Sequence, residues 1–283
     1  MIETVCICGA GTMGRGIAQL MAGKGFRTIL YDVDAEVLKR TEQTIDEELQ
    51  TLTGKNKITG DDKANTLAHL NFTTDINDCI ADIIIEAIIE RLPEKIALFN
   101  QLAEINHSET IFATNTSSLP VTSIAASVHH PERVSGMHFF NPAPLMKLVE
   151  LISTPFTAAS VTSQLTELGI NIGKTVVTCK DSPGFIVNRV ARLFYLEALY
   201  LEEHFDVALT EIDSLMEATG FRMGPFALMD LIGNDINYAV SASLYEALGK
   251  PERLKPAALQ LRKVLENELG KKTGKGYYNY NKE

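Results

Sequence analysis

The segment Gly9-Ala10-Gly11-Thr12-Met13-Gly14 restricts the fold of this chain more than any other. It follows a β-branched, apolar run over residues 2–8 and opens a helical pattern over 13–24. At that junction Gly9 permits a tight turn, Gly11 keeps a side chain out of the path of a pyrophosphate, and Gly14 lets the helix pack closely on the strand. The helix start adds free N–H groups and the positive end of its dipole, so Thr12 and Met13 join the glycines as cofactor-binding candidates. A second strand over 27–31 ends at Asp32, 18 residues past Gly14, where a carboxylate accepts hydrogen bonds from adenosine ribose hydroxyls. That acid repels a 2′-phosphate and no arginine follows it, which favours NAD over NADP; the turn by itself also suits FAD.

The rhythm around this motif is that of an α/β protein. Further strands are predicted over 72–74, 83–86, 111–114, 134–139, 148–152 and 175–178, with helices over 35–52, 93–105 and 158–171 between them. Strands alternating with helices of this length build a Rossmann-type, doubly wound parallel sheet. After Asp181-Ser182-Pro183-Gly184 the strand-like alternation stops, and 186–203, 210–219, 225–248 and 257–269 read as helices. Two domains follow: residues 1–183, binding NAD, and an all-α domain over 184–283.

Composition narrows the function. Charged residues at 22% and hydrophobic ones at 45% exclude a disordered chain. No apolar stretch approaches the ~18 residues of a membrane span. A balance of 26 basic against 36 acidic residues, net −10, is poor for neutralising a nucleic-acid backbone but still allows a local site for a small anion. Cys6, Cys8, Cys79 and Cys179 form neither a disulfide framework nor a metal-ligand spacing, so buried small side chains and no metal are expected. With no leader-like segment before Ile2, the expected setting is the reducing cytoplasm.

The chemistry must come from polar residues near later strands. His138 ends the 134–139 strand, and Glu150 sits in the apolar run 148–152, where a charge needs a partner. Adjacent strands joined by a Pro-rich turn would let Glu150 fix the imidazole tautomer and leave the ring a base for a hydroxyl proton. The alternative is a structural histidine and a Glu150–Lys147 pair. Asn115 and Ser117 follow a strand at its carboxyl end, suited to orienting a substrate oxygen or a nicotinamide, or else to capping a turn. Asn188, on the first helix of the second domain, reads either as a solvated or capping residue or as a donor to a carbonyl. Glu86 and Glu90 fit ordinary surface acids, with a cofactor contact open to Glu90.

Seven blocks carry a resemblance: GAGTMGRGIA, EAIIE, ATNTSSLP, GMHFFNPAPLMKLVELI, KDSPGFIVNRV, FRMGPFALMDLIGND and GKKTGKGYYNY. Together they resemble the 3-hydroxyacyl-CoA dehydrogenase family along essentially the whole chain, most like its short bacterial 3-hydroxybutyryl-CoA branch. The resemblance implies reversible oxidation of an (S)-3-hydroxyacyl-CoA to the 3-ketoacyl-CoA, with C3 passing hydride to NAD. In that scheme His138 is the general base, Glu150 orients it, and Ser117 and Asn188 hold the substrate oxygen. Glu90, Lys95 and Asn141 are implied near nicotinamide, ribose or the CoA arm, Lys55 near CoA and Lys272 near NAD. One position departs: Glu48 stands where some relatives offer a serine to CoA. The family's CoA-independent sugar-acid branch would keep His138 and Glu150 but lose the CoA lysines, and a non-catalytic NAD-binding protein would lack the polar set. Apolar stripes at Leu193, Phe194, Leu196, Leu199 and Tyr200, and at Leu228, Met229, Leu231 and Ile232, either meet each other or form an interface; the resemblance implies a homodimer through this domain.

Overall fold

The structure, a computed structural model, describes residues 2–281. The chain divides into two compact units, Met1–Ser182 and Pro183–Glu283.

The first unit is built on an eight-stranded sheet. Its strands are β1 (Thr4–Cys8), β2 (Arg27–Tyr31), β3 (Leu70–Thr73), β4 (Ile83–Glu86), β5 (Ile111–Thr114), β6 (Val134–Phe139), β7 (Leu148–Ser153) and β8 (Thr175–Lys180), in the order β3-β2-β1-β4-β5-β6-β7-β8. The helices are α1 (Thr12–Gly23), α2 (Ala35–Gly54), α3 (Gly60–Ala68), α4 (Leu92–Ile105), α5 (Val121–Ala125) and α6 (Ala159–Asn171). The period of two in β1 assigns the layers: Val5 and Ile7 join the cluster under α1 and α6, while Cys6 and Cys8 join Phe99, Leu102 and Ile124 of α4 and α5 on the other face. A slip of one residue would exchange the two sets, so register is tightly specified. In α2 the Asp34 side chain caps the N–H groups of Glu36 and Val37, and Leu38, Thr41, Ile45 and Leu49 form its buried stripe.

Two features depart from the sequence reading here. The sheet is not wholly parallel: β6 and β7 run antiparallel, while β7 and β8 are parallel. The link from Phe139 to Leu148 is too short for a parallel crossover, which needs about a dozen residues or more. Helix α3 was not anticipated, although Thr59 and Asp62 form a capping box at its start, a signal present in the sequence.

The second unit contains α7 (Val187–Phe205), α8 (Leu209–Ala218), α9 (Pro225–Ile232), α10 (Asn234–Ala247) and α11 (Ala258–Leu265). The single helix expected over 225–248 is two, because Gly233 adopts φ +107°, outside the helical region. The last helix stops at Leu265 rather than 269, with Asn267 at positive φ just beyond. Tyr195, Leu199, Phe226 and Met229 centre the core. The buried Asp230 accepts the N–H groups of Tyr277 and Tyr278, each at 2.9 Å, and the hydroxyl of Tyr280, fastening the C-terminal segment. Of the two apolar stripes, Leu196, Leu199 and Met229 are buried, whereas Leu193, Tyr200, Leu231 and Ile232 are exposed. Among the described residues no helix is long and apolar enough to cross a membrane.

Candidate active site

The carboxyl ends of β1, β2, β4, β5 and β6 carry most of the first unit's candidate residues, at the edge where open α/β sheets receive ligands. At β1 the glycine turn is shaped by contact. Gly9 has φ +102°, and a Cβ there would lie 2.6 Å from the Ala87 carbonyl oxygen; one on Gly14 would lie 1.7 Å from the carbonyl oxygen of Gly9. A Cβ on Gly11 would meet nothing within 4 Å, so the missing side chain opens onto free space at the start of α1. No side chain caps that helix. This bare, uncapped N-terminus fits a dinucleotide pyrophosphate. Beside it Asp32 is held in place, accepting from Ala10 N–H at 2.8 Å and Asp34 N–H at 3.1 Å.

At β6 the antiparallel register sets His138 directly opposite Glu150. Cross-strand partners project on the same face with Cβ atoms about 5 Å apart, within reach of a hydrogen bond. Here His138 Nδ1 lies 2.7 Å from Glu150 Oε2 in a buried setting. The Glu150–Lys147 alternative therefore gives way to the histidine pair. Phe140 lies against the imidazole, ring centroids 4.6 Å apart. Asn115, just past β5, accepts the N–H of Phe139 at 2.8 Å and so ties its loop to the strand carrying His138.

Between β4 and β5 lies a charged relay that sequence reasoning largely missed. Glu86 is fully buried rather than a surface acid, and Lys95, 1% exposed, donates to it at 2.5 Å and reaches Glu90 at 3.1 Å. Thr114 Oγ1 and the N–H of Ile88 also donate to Glu86. Glu90 accepts from Thr116 Oγ1, from Ser118 Oγ at 3.0 Å and from the N–H of Ser117 at 3.3 Å. Burial raises the Glu86 carboxyl above the usual range, against the pull of Lys95. Burial also pushes Glu90 up, but Lys95 and the hydroxyl donors outweigh it and the net shift is downward. The signal for Glu86 was the one applied to Glu150: a carboxylate inside an apolar strand needs a partner.

The other candidates are more dispersed. Asn141 is exposed on the turn after β6, and Lys55 is exposed at the C-cap of α2. Asn188 is half-buried near the start of α7, and Lys272 is clamped by both Asp235 oxygens at 2.5 and 2.7 Å, both in the second unit. A cavity of about 450 Å³ opens between α1, α2 and the turn around Pro142. Among the described residues, no cluster of His, Cys, Asp or Glu is arranged to hold a metal ion.

The similarities to known proteins extend over both units. Residues 4–182 match the NAD binding domain of 3-hydroxyacyl-CoA dehydrogenase, and residues 184–280 match its C-terminal domain. The chain is 46% identical to the 3-hydroxyadipyl-CoA dehydrogenase of Escherichia coli K12 over all of its own length, and spans 60% of that protein. It is 38% identical to the mitochondrial hydroxyacyl-coenzyme A dehydrogenase of Sus scrofa, covering 99% of this chain and 92% of the other. The solved (S)-3-hydroxybutyryl-CoA dehydrogenase of Ralstonia eutropha superposes with a TM-score of 0.94 at 38% identity, over 100% of both chains. With both domains matched in order, this chain belongs to the 3-hydroxyacyl-CoA dehydrogenase family.

Proposed function

We propose that the protein catalyses the reversible, NAD-dependent oxidation of short-chain (S)-3-hydroxyacyl-CoA, 3-hydroxybutyryl-CoA foremost, to the 3-ketoacyl-CoA. The observation that carries this reading is the buried His138–Glu150 pair at 2.7 Å. With Nδ1 engaged by a carboxylate, Nε2 is the atom that takes the substrate's hydroxyl proton, and Glu150 stabilises the imidazolium that results. Bound NAD supplies the hydride acceptor. Gly9, Gly11, Thr12, Met13 and Gly14 receive its pyrophosphate and Asp32 its adenosine ribose. Ser117 and Asn188 hold the substrate oxygen, and Asn115 and Asn141 flank the reacting end. Lys95 is consumed by two carboxylates, so it acts by aiming Glu90 at the cofactor rather than by direct contact. Lys55 is assigned to the CoA end, and Lys272, held by its pair with Asp235, to NAD.

In this reading residues 1–183 form the NAD-binding domain, and 184–283 the substrate and dimerisation domain. The exposed Leu193, Tyr200, Leu231 and Ile232 support a homodimer through the second domain. Four free cysteines, three of them buried, agree with a cytoplasmic, reducing setting. The test follows nicotinamide absorbance as NADH is oxidised with acetoacetyl-CoA, then with longer 3-ketoacyl-CoAs, 3-ketoadipyl-CoA and free keto acids. Turnover with four-carbon CoA esters is expected. Turnover of free acids alone would move the chain to a CoA-independent dehydrogenase, and none with any substrate would defeat the reading.

A further inference from the structure

The cavity between α1, α2 and the turn around Pro142 has a charge pattern that the reading above leaves unused. Arg15 faces it from α1; Glu47 and Glu48 face it from α2. Arg15 Nη2 lies 3.0 Å from Glu48 Oε1, with the two side chains 28% and 41% exposed. Ion pairs at that exposure are weak, because water solvates both partners. A phosphate is the better partner for a guanidinium, since its oxygens take two parallel N–H donors and carry more charge. Arg15 is also what makes this wall tolerable to an anion, for without it the only charged groups lining the cavity would be the carboxylates of Glu47 and Glu48. Seven residues past Glu48, about 10 Å along the axis of α2, stands the exposed Lys55. A guanidinium inside the cavity and an ammonium at the C-cap of the helix that lines it, beside a mainly apolar turn, fit an elongated ligand that carries phosphates on one section and a neutral arm on another.

Resting on the dehydrogenase reading, we propose that Arg15 is a specificity-determining residue that binds a phosphate of the CoA nucleotide, exchanging Glu48 for the phosphate oxygens when the thioester enters. Glu48 is then the internal competitor that holds the guanidinium in place until ligand arrives.

The test compares NADH oxidation by acetoacetyl-CoA and by acetoacetyl-pantetheine, which has the arm but no phosphate. R15A is expected to raise KM for the CoA ester about tenfold, the weight of one charge-assisted hydrogen bond, and to move KM for the pantetheine ester less than twofold. E48Q is expected to lower KM for the CoA ester about two- to threefold by freeing Arg15. R15Q keeps the side chain's packing and decides the question should R15A fail to fold. Equal rises in KM for both esters would assign Arg15 to holding α1 and α2 together, and an unchanged CoA-ester KM would remove it from recognition; either overturns the inference alone. A wild-type protein inert toward acetoacetyl-CoA defeats the dehydrogenase reading and the inference with it.

Discussion

Glu150→Gln exchanges one carboxylate oxygen for an amide nitrogen and changes almost no volume. Glu150 is fully buried, and its Oε2 lies 2.7 Å from His138 Nδ1. Glutamine still presents an acceptor oxygen to Nδ1–H, so ring orientation and tautomer survive; the negative charge that steadies the imidazolium does not. A hydrogen bond to a charged group is worth about 1.5–3 kcal/mol, which at 1.4 kcal/mol per decade is a loss of about 10- to 100-fold in kcat. His138→Gln removes the base itself and is expected to cost 100-fold or more. Because Glu150 acts through His138, the double variant is expected to be no slower than His138→Gln alone. Steady-state kinetics of all four proteins, followed at the nicotinamide absorbance, closes the cycle, with NAD affinity measured separately and expected to hold in each. A Glu150→Gln enzyme within twofold of wild type, or effects that multiply in the double variant, would refute the coupling.

The glycine turn separates binding from folding. Gly11→Ala, whose methyl enters open space, is expected to keep the wild-type melting temperature and weaken NAD binding about tenfold or more in a fluorescence titration, while Gly14→Ala, driven into a carbonyl, is expected to lose stability first. Asp230→Ala strips the acceptor from two tyrosine N–H groups and a tyrosine hydroxyl, and is expected to cost about 3 kcal/mol or more by urea denaturation. For Glu90 the folded-state pKa is lowered, so its stabilising contribution is present above the unfolded value, about 4.3, and is lost as pH falls through the folded one. The melting-temperature gap between wild type and Glu90→Gln is therefore expected at pH 6 and expected to narrow progressively as pH falls below the unfolded value and through the folded one.

The sheet and the glycine turn were legible because both are local. Period-two burial in β1 and the Gly9–Gly14 spacing are written in consecutive residues, and every strand expected in the first unit is present, within a few residues at its ends. Contacts spanning many residues were harder to read. EAIIE sets Glu86 inside a strand and Glu90 beyond its end, but it names a partner for neither; that partner is Lys95 arriving from α4, placed by Pro93 at that helix's first turn. The antiparallel turn into β7 was readable from loop length, yet the strand–helix rhythm around it argued for parallel pairing. Gly233 looked like one glycine in a long helical pattern; its positive φ, with Lys272 beside it and the Leu269 carbonyl accepting the N–H of Asn234, comes from contacts more than thirty residues away in the chain. Arg15 was hidden for another reason: inside a glycine fingerprint it reads as filler, and its partner is 33 residues away.

Because His138 and Glu150 face each other across a backbone ladder, the spacing between base and acid is set by the sheet and owes nothing to the eight residues that join the two strands. That crest is free to lengthen, shorten or exchange its side chains while the proton-handling couple stays where it is. A scaffold wired this way can have one hairpin tip rewritten with the separation of base and acid inherited unchanged.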